Sequence, residues 1–296
     1  MTWLFFALLA PLIWAITNII DKFVLSKITD DYWIPAIFFS FAGLATGLTI
    51  FVFKGYEPVT PVVIFTALGA GSAYFFAELY YFKAAQKEEI SRVISLVYLD
   101  PLFTAIFAAI FLKEFFSFTS YVGVACMTFG AFLISYNFES GWKNKNIAWL
   151  AVISAALFGA SNILSDLFVT EQNAWTIFAF IRLGTFLSTL PWTLHKRQKI
   201  LNFIRHRTQN SALIFLNSLM VVFGTLLFLF ALSKGFATFT ASLAALQPLF
   251  VLIIVWFLSQ FFPHILKENL NKKTFLQKLV AAIILLVGAF LLHSQI

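Results

Sequence analysis

SLVYLDPLF, residues 95–103, returns 147 residues later as SLAALQPLF, residues 242–250. Pro101 falls on Pro248 and Asp100 on Gln247. The relation continues just upstream, where AAQKEEIS (84–91) aligns with ALSKGFAT (231–238) and Lys87 pairs with Lys234. Nearer the start, WAITNII (14–20) matches FGASNIL (158–164) at an offset of 144, setting Asn18 on Asn162. Each match is short. Three in one order at nearly one offset read as an internal duplication.

The duplicated stretches lie in a chain of 296 residues that is 61% hydrophobic and 11% charged, with 39 Phe. Soluble chains carry about 25% charged residues, and apolar runs of bilayer-spanning length recur throughout this one. The runs are 3–25, 33–53, 60–83, 91–112, 118–136, 146–168, 174–194, 211–233, 237–260 and 275–293. They leave no room for a soluble domain. The first run lacks a basic leader and a small-residue cleavage site, so it reads as a retained helix. The expected fold is all-α: ten transmembrane helices in two five-helix repeats, residues 1–140 and 141–296, around a central cavity. Because five is odd, the second repeat enters the membrane inverted. Inverted halves that rock about a shared site are a transporter signature.

The net charge of +7 sits mostly in short loops, where it sets orientation and meets anionic lipid rather than nucleic acid. Sixteen Lys and Arg flank the loops after odd-numbered runs, three the loops after even-numbered ones, and Arg182 lies inside the seventh run. That bias places both termini away from the cytoplasm. KRQKILNFIRHR (196–207) reads either as a solvated anchor or as an interfacial helix with Ile200, Leu201 and Ile204 toward lipid. The single Cys126 excludes an internal disulfide and a cysteine metal cluster.

Charged residues within apolar runs usually face a cavity or a partner. In the first run Trp14, Thr17, Asn18 and Asp21 share one helical face, and Phe158, Ser161, Asn162 and Ser165 repeat it in the sixth. Asn18 and Asn162 fit solute contact and interhelical bonding equally well, whereas Trp14 can stack on a solute or cover a cation. Tyr74, Glu78 and Tyr81 share a face of the third run. A carboxylate between two rings suits an ammonium group and is also a site where a coupling proton can bind, although an interfacial pair with Lys83 is the plainer alternative. Arg182 has the donor fork for a carboxylate or phosphate, but a fixed ion pair with Asp100, Asp166 or Glu78 is the preferred expectation. Ser95 and Tyr98 share the cavity face of the fourth run. At about 100° per residue Asp100 lies about 140° from Ser95, so it is expected to point mostly elsewhere, as a partner for Arg182. Pro101 and Pro248 are hinge candidates, a matched pair of kinks. No metal site, cofactor motif or enzyme constellation of the H-E-x-x-H, G-x-S-x-G or P-loop type is visible.

Ten runs, the five-plus-five duplication, the aromatic-x-x-x-Asn pattern and the Ser-x-x-x-x-x-Pro-Leu-Phe pattern resemble the drug/metabolite transporter superfamily, EamA-like branch. The chain departs from the family's frequent Gly-Glu after the fourth run, carrying KE (113–114), and its ninth run ends in SQFF (259–262) without an acid. The resemblance implies a basket of helices whose cavity is lined mainly by runs 1, 3, 4, 6, 8 and 9, with runs 5 and 10 peripheral. It also implies termini inside the cell, opposite to the charge bias. The expected function is secondary transport of a small polar organic solute, such as an amino acid, amine or related metabolite, with a coupling proton, in a bacterial cytoplasmic membrane. A non-transporting membrane receptor or interaction protein is the alternative.

Overall fold

The computed structural model describes residues 2–87, 90–115, 117–135, 145–170, 173–244, 246–262 and 272–293. Among them every regular element is helical. A bilayer core offers no water to backbone N–H and C=O groups, and a helix satisfies them within one segment. In chain order the α-helices are α1 (Thr2–Phe23), α2 (Trp33–Lys54), α3 (Pro61–Lys87), α4 (Ile90–Val97), α5 (Asp100–Phe107), α6 (Phe118–Ser135) and α7 (Lys145–Asp166). There follow α8 (Ala174–His195), α9 (Arg197–His206), α10 (Thr208–Leu232), α11 (Ala237–Ala244), α12 (Gln247–Phe261) and α13 (Lys272–His293). A π-helical turn extends α1 (Val24–Ile28) and another extends α5 (Ala108–Leu112).

Seven helical runs among the described residues are long and apolar enough to cross a membrane, while Asp100–Leu112, Phe118–Gly130 and Leu276–Gly288 are apolar but shorter. The fourth, fifth and tenth of the ten expected runs are thus not long enough among the described residues. A break splits the fourth run between α4 and α5, and α6 and α13 adjoin residues 136–144 and 263–271, outside the described residues. The expected repeat boundary at 140/141 lies there too.

The break follows from proline. Pro101 sits in the first turn of α5 and cannot donate to the helix ladder. Instead Leu99 N–H donates to the Leu96 carbonyl (3.1 Å), and the N–H groups of Leu102 and Phe103 donate to Leu99 (3.0 and 3.2 Å). Between α11 and α12 the same set recurs: Leu246 to Leu243 (3.0 Å), then Leu249 and Phe250 to Leu246 (3.0 and 3.3 Å). The two stretches that match in sequence break in the same way.

Helices pack in matched sets: α3 on α7 and α1 on α10, α5 on α7 and α1 on α12, α3 on α8 and α10 on α2. Two further pairs, α2 with α8 and α6 with α13, complete the bundle. The α3–α7 contact is antiparallel and closed by two serines. Ser154 Oγ donates to the Ala77 carbonyl (2.8 Å) and Ser161 Oγ to the Ala70 carbonyl (3.0 Å). Where α3 crosses α8 the backbones touch: a Cβ on Gly71 would overlap the Ile181 carbonyl oxygen, and one on Gly184 the Leu68 carbonyl oxygen. Small residues permit such close approach between membrane helices.

α9 is a helix with a split apolar surface. Ile200 is buried in the protein rather than facing lipid, because it and Phe203 pack toward Val24–Phe38, while Leu201 and Ile204 are exposed. Its basic start is tied to the α1–α2 connection. Lys199 Nζ lies 2.6 Å and Lys196 Nζ 3.5 Å from Asp31, whose Oδ1 also accepts the Trp33 N–H (3.0 Å). Burial pushes the Asp31 carboxyl up, but the Lys199 hydrogen bond, the Trp33 amide and the two lysine charges outweigh it and hold the group below its ordinary value. A depressed carboxyl contributes stability that is complete above the unfolded pKa, about 3.9, and is lost as pH falls through the folded value. Asp31→Asn is therefore expected to cost no more than about 1 kcal/mol at pH 7 and to lower hydrogen-exchange protection across α9. Wild-type protection should fall toward the variant's below about pH 4. Equal protection of both proteins at pH 7 would rule out the clamp.

Candidate functional site

α1, α3, α7, α10 and the broken pairs α4–α5 and α11–α12 surround a central cavity of about 120 Å³, with α8 contributing one wall. Among the described residues α2, α6 and α13 contribute none of its lining. Trp14, Asn18, Tyr74, Glu78, Tyr81, Tyr98, Asn162 and Arg182 all line it. The Ser95 side chain lies outside the described residues. Pro101 and Pro248 are buried in the first turns of α5 and α12, next to the cavity-lining Asp100 and Gln247.

The polar face of α1 reaches the cavity whole, and so does its counterpart on α7. The two are engaged differently. Trp14 Nε1 donates to the Val221 carbonyl (3.3 Å), and its ring lies 5.5 Å from the Phe228 ring, so the indole is wedged against α10. Asp21 Oδ1 accepts from Asn217 Nδ2 (2.8 Å), a second tie between α1 and α10. On α7, Ser161 and Ser165 spend their hydroxyl protons on the Ala70 and Ser161 carbonyls, and Asn162 Nδ2 donates to Thr104 Oγ1 (3.2 Å). Asn162 thus joins helices and faces the cavity at once.

Tyr74 is a hub. Its ring stacks on Phe39 (5.5 Å, 19°) and meets Phe158 edge-on (5.3 Å), and its hydroxyl bonds Thr225 Oγ1 (3.1 Å). Arg182 Cζ lies 4.9 Å from the same ring. The face that the sequence offered to an ammonium group is therefore occupied by the protein's own cation. Tyr81 remains as the ring beside Glu78, with a buried hydroxyl that has no hydrogen-bond partner among the described residues.

Two expectations are corrected here. Arg182 forms no ion pair with Asp100, Asp166 or Glu78 among the described residues, and its Nε, Nη1 and Nη2 have no hydrogen-bond partner. Glu78 and Arg182 interact across the cavity by charge alone. Asp100 lines the cavity together with Tyr98 instead of pointing away. The angle drawn for a straight helix does not carry across the Tyr98–Leu99 turn that separates α4 from α5.

Phe39, Thr104 and Asn217 escaped the sequence reading. Phe39 is one of 39 phenylalanines and has no local mark. Asn217, a polar residue within an apolar run, carried a signal that could have been used.

Chemically the site joins one guanidinium, three carboxyl groups and three phenols in a space close to the scale of one small solute. A cavity of about 150 Å³ holds a single benzene ring.

Residues 1–136 match the EamA-like transporter family, part of the drug/metabolite transporter superfamily, as the residue patterns led one to expect. No curated protein matches the chain. One crystal structure resembles it over 98% of this chain and 96% of its own, with a TM-score of 0.66 at 14% identity, a likeness of fold alone.

Proposed function

We propose that this protein, whose residues 1–136 belong to the EamA-like transporter family, is a secondary transporter moving a small polar organic solute by alternating access. The family points to a membrane transporter of the drug/metabolite type. An amino acid, amine or related metabolite fits the mixed charge of the cavity, with a proton as the coupling ion and a bacterial cytoplasmic membrane as the location. In this reading ten spans form two inverted repeats, residues 1–140 and 141–296. Trp14, Asn18, Tyr81, Ser95, Tyr98 and Asn162 contact the solute, with Tyr74 holding Arg182 in place. Glu78 and Asp100 are the candidates for proton coupling.

The observation that carries the proposal is the paired helix break beside one cavity. Exchange of the first five runs for the second five maps α3–α7 onto α10–α1, α5–α7 onto α12–α1 and α3–α8 onto α10–α2, pairs that all occur. The same exchange maps α2–α8 and α6–α13 onto themselves. Matched halves about a central site are what rocking requires, and Pro101 and Pro248 supply one hinge to each.

Purified protein in proteoliposomes is expected to move at least one solute from a panel of amino acids, amines and small organic acids without nucleotide. An imposed proton gradient should change the rate. Saturable binding with no flux across the panel would favour a membrane receptor and sink the transport reading.

A further inference from the structure

Arg182 is the single basic side chain lining the cavity among the described residues, against the carboxyl groups of Asp21, Glu78 and Asp100. It is wholly buried, yet its three nitrogens have no hydrogen-bond partner among the described residues. Its charge is met by rings, with Cζ 4.9 Å from Tyr74, 5.0 Å from Phe178 and 5.5 Å from Phe39. Its stem runs along the glycines of α2: a Cβ on Gly43 would stand 3.1 Å from Arg182 Cδ. The fold therefore holds the side chain from every side except at its donors.

Ring faces attract a cation but accept none of the five directed, in-plane N–H bonds of a guanidinium. Leaving those donors unmet inside a membrane is costly, and a structural arginine would have used them on one of the nearby carboxylates. We infer that Arg182 is the anion-recognition group of the cavity, and that the solute carries a single carboxylate gripped by the guanidinium through paired N–H···O bonds. Bidentate geometry is what distinguishes arginine at carboxylate sites. A phosphate dianion fits poorly, since one cation faces three acids. The volume of about 120 Å³ limits the rest of the solute to a few heavy atoms. The inference deepens the transport reading and rests on the same cavity.

The test uses the full chain in detergent and thermal unfolding, since a ligand of the folded state raises apparent stability. The probes are acetate, propionate and L-alanine, each against its amide. At least one carboxylate should raise the Tm of the wild type while its amide does not. Arg182→Met is expected to fold, to match or exceed the wild-type Tm without ligand, and to lose the carboxylate response. Arg182→Lys should keep a response weakened by about tenfold or more in apparent Kd, because the charge survives without the fork. The inference falls if no carboxylate acts on the wild type, or if amides act as well as acids. An Arg182→Met protein that responds like wild type would also overturn it. So would a large loss of unliganded Tm in Arg182→Met that lysine restores, the mark of a structural cation. Should Arg182→Met not fold at all, unchanged carboxylate affinity in Arg182→Lys overturns the inference and the weakened response supports it. Carboxylate binding without flux would remove the transport reading alone. Flux of uncharged solutes with no carboxylate effect would remove the anion site alone.

Discussion

Gly71→Ala is expected to yield no monodisperse folded protein in detergent, whereas Gly69→Ala, two residues away on the same helix, should unfold within a few degrees of wild type. A methyl on Gly71 would overlap the Ile181 carbonyl oxygen and lie 2.8 Å from the Thr185 amide nitrogen. Backbone atoms cannot rotate away as a side chain would, so α3 and α8 would have to separate. That movement breaks the Thr185 Oγ1 bond to the Gly71 carbonyl (3.2 Å) and draws Tyr74 from Arg182. Overpacking costs about 1–3 kcal/mol where side chains can adjust, and more where they cannot. Gly69 would meet only Leu164 Cδ1 at 3.9 Å, an ordinary contact, and alanine favours the helix by roughly 1 kcal/mol. Size-exclusion chromatography with thermal unfolding reads both variants. A folded Gly71→Ala protein with near wild-type Tm would show that the helices do not cross so closely.

Glu78→Gln is expected to lower transport by about tenfold, a loss of about 1.4 kcal/mol of transition-state stabilisation, and to flatten its pH dependence. Glu78 is 8% exposed, lines the cavity and interacts by charge with both Asp21 and Arg182. A group placed between a cation and another acid transmits the loss or gain of one proton to each. Glutamine keeps the size and the hydrogen-bonding capacity but cannot exchange the proton. Initial rates in proteoliposomes from about pH 5 to 8, the range a buried carboxyl can enter, provide the check. Wild-type kinetics in the variant at every pH would reject a coupling role for Glu78.

Much of the cavity was legible because its polar residues recur at helical spacing. Trp14, Asn18 and Asp21 share one face by chain geometry alone, and so do Tyr74, Glu78 and Tyr81. Whatever surrounds one member of such a stripe surrounds the rest. Arg182 was legible as an anomaly but not as a free donor. Several acids lie in other runs, and nothing in the chain order says that Tyr74, Phe178 and Phe39 stand nearer its guanidinium than a carboxylate does. Asp100 was misjudged because an angle summed along a helix holds only while the helix continues.

From sequence alone came the helices, the proline breaks and the likeness of the two halves, because each depends on neighbours along the chain. Apolar composition forces backbone bonds to close within a segment, and a proline without N–H interrupts them wherever it stands. Tertiary structure alone decided which glycine is a backbone contact and which is open, and that Arg182 is caged by rings without an ion pair among the described residues. It also decided that Asp100 turns into the cavity. Those facts depend on which helices lie side by side, and with what rotation. Gly69 and Gly71 are the same residue two positions apart until α8 crosses one of them.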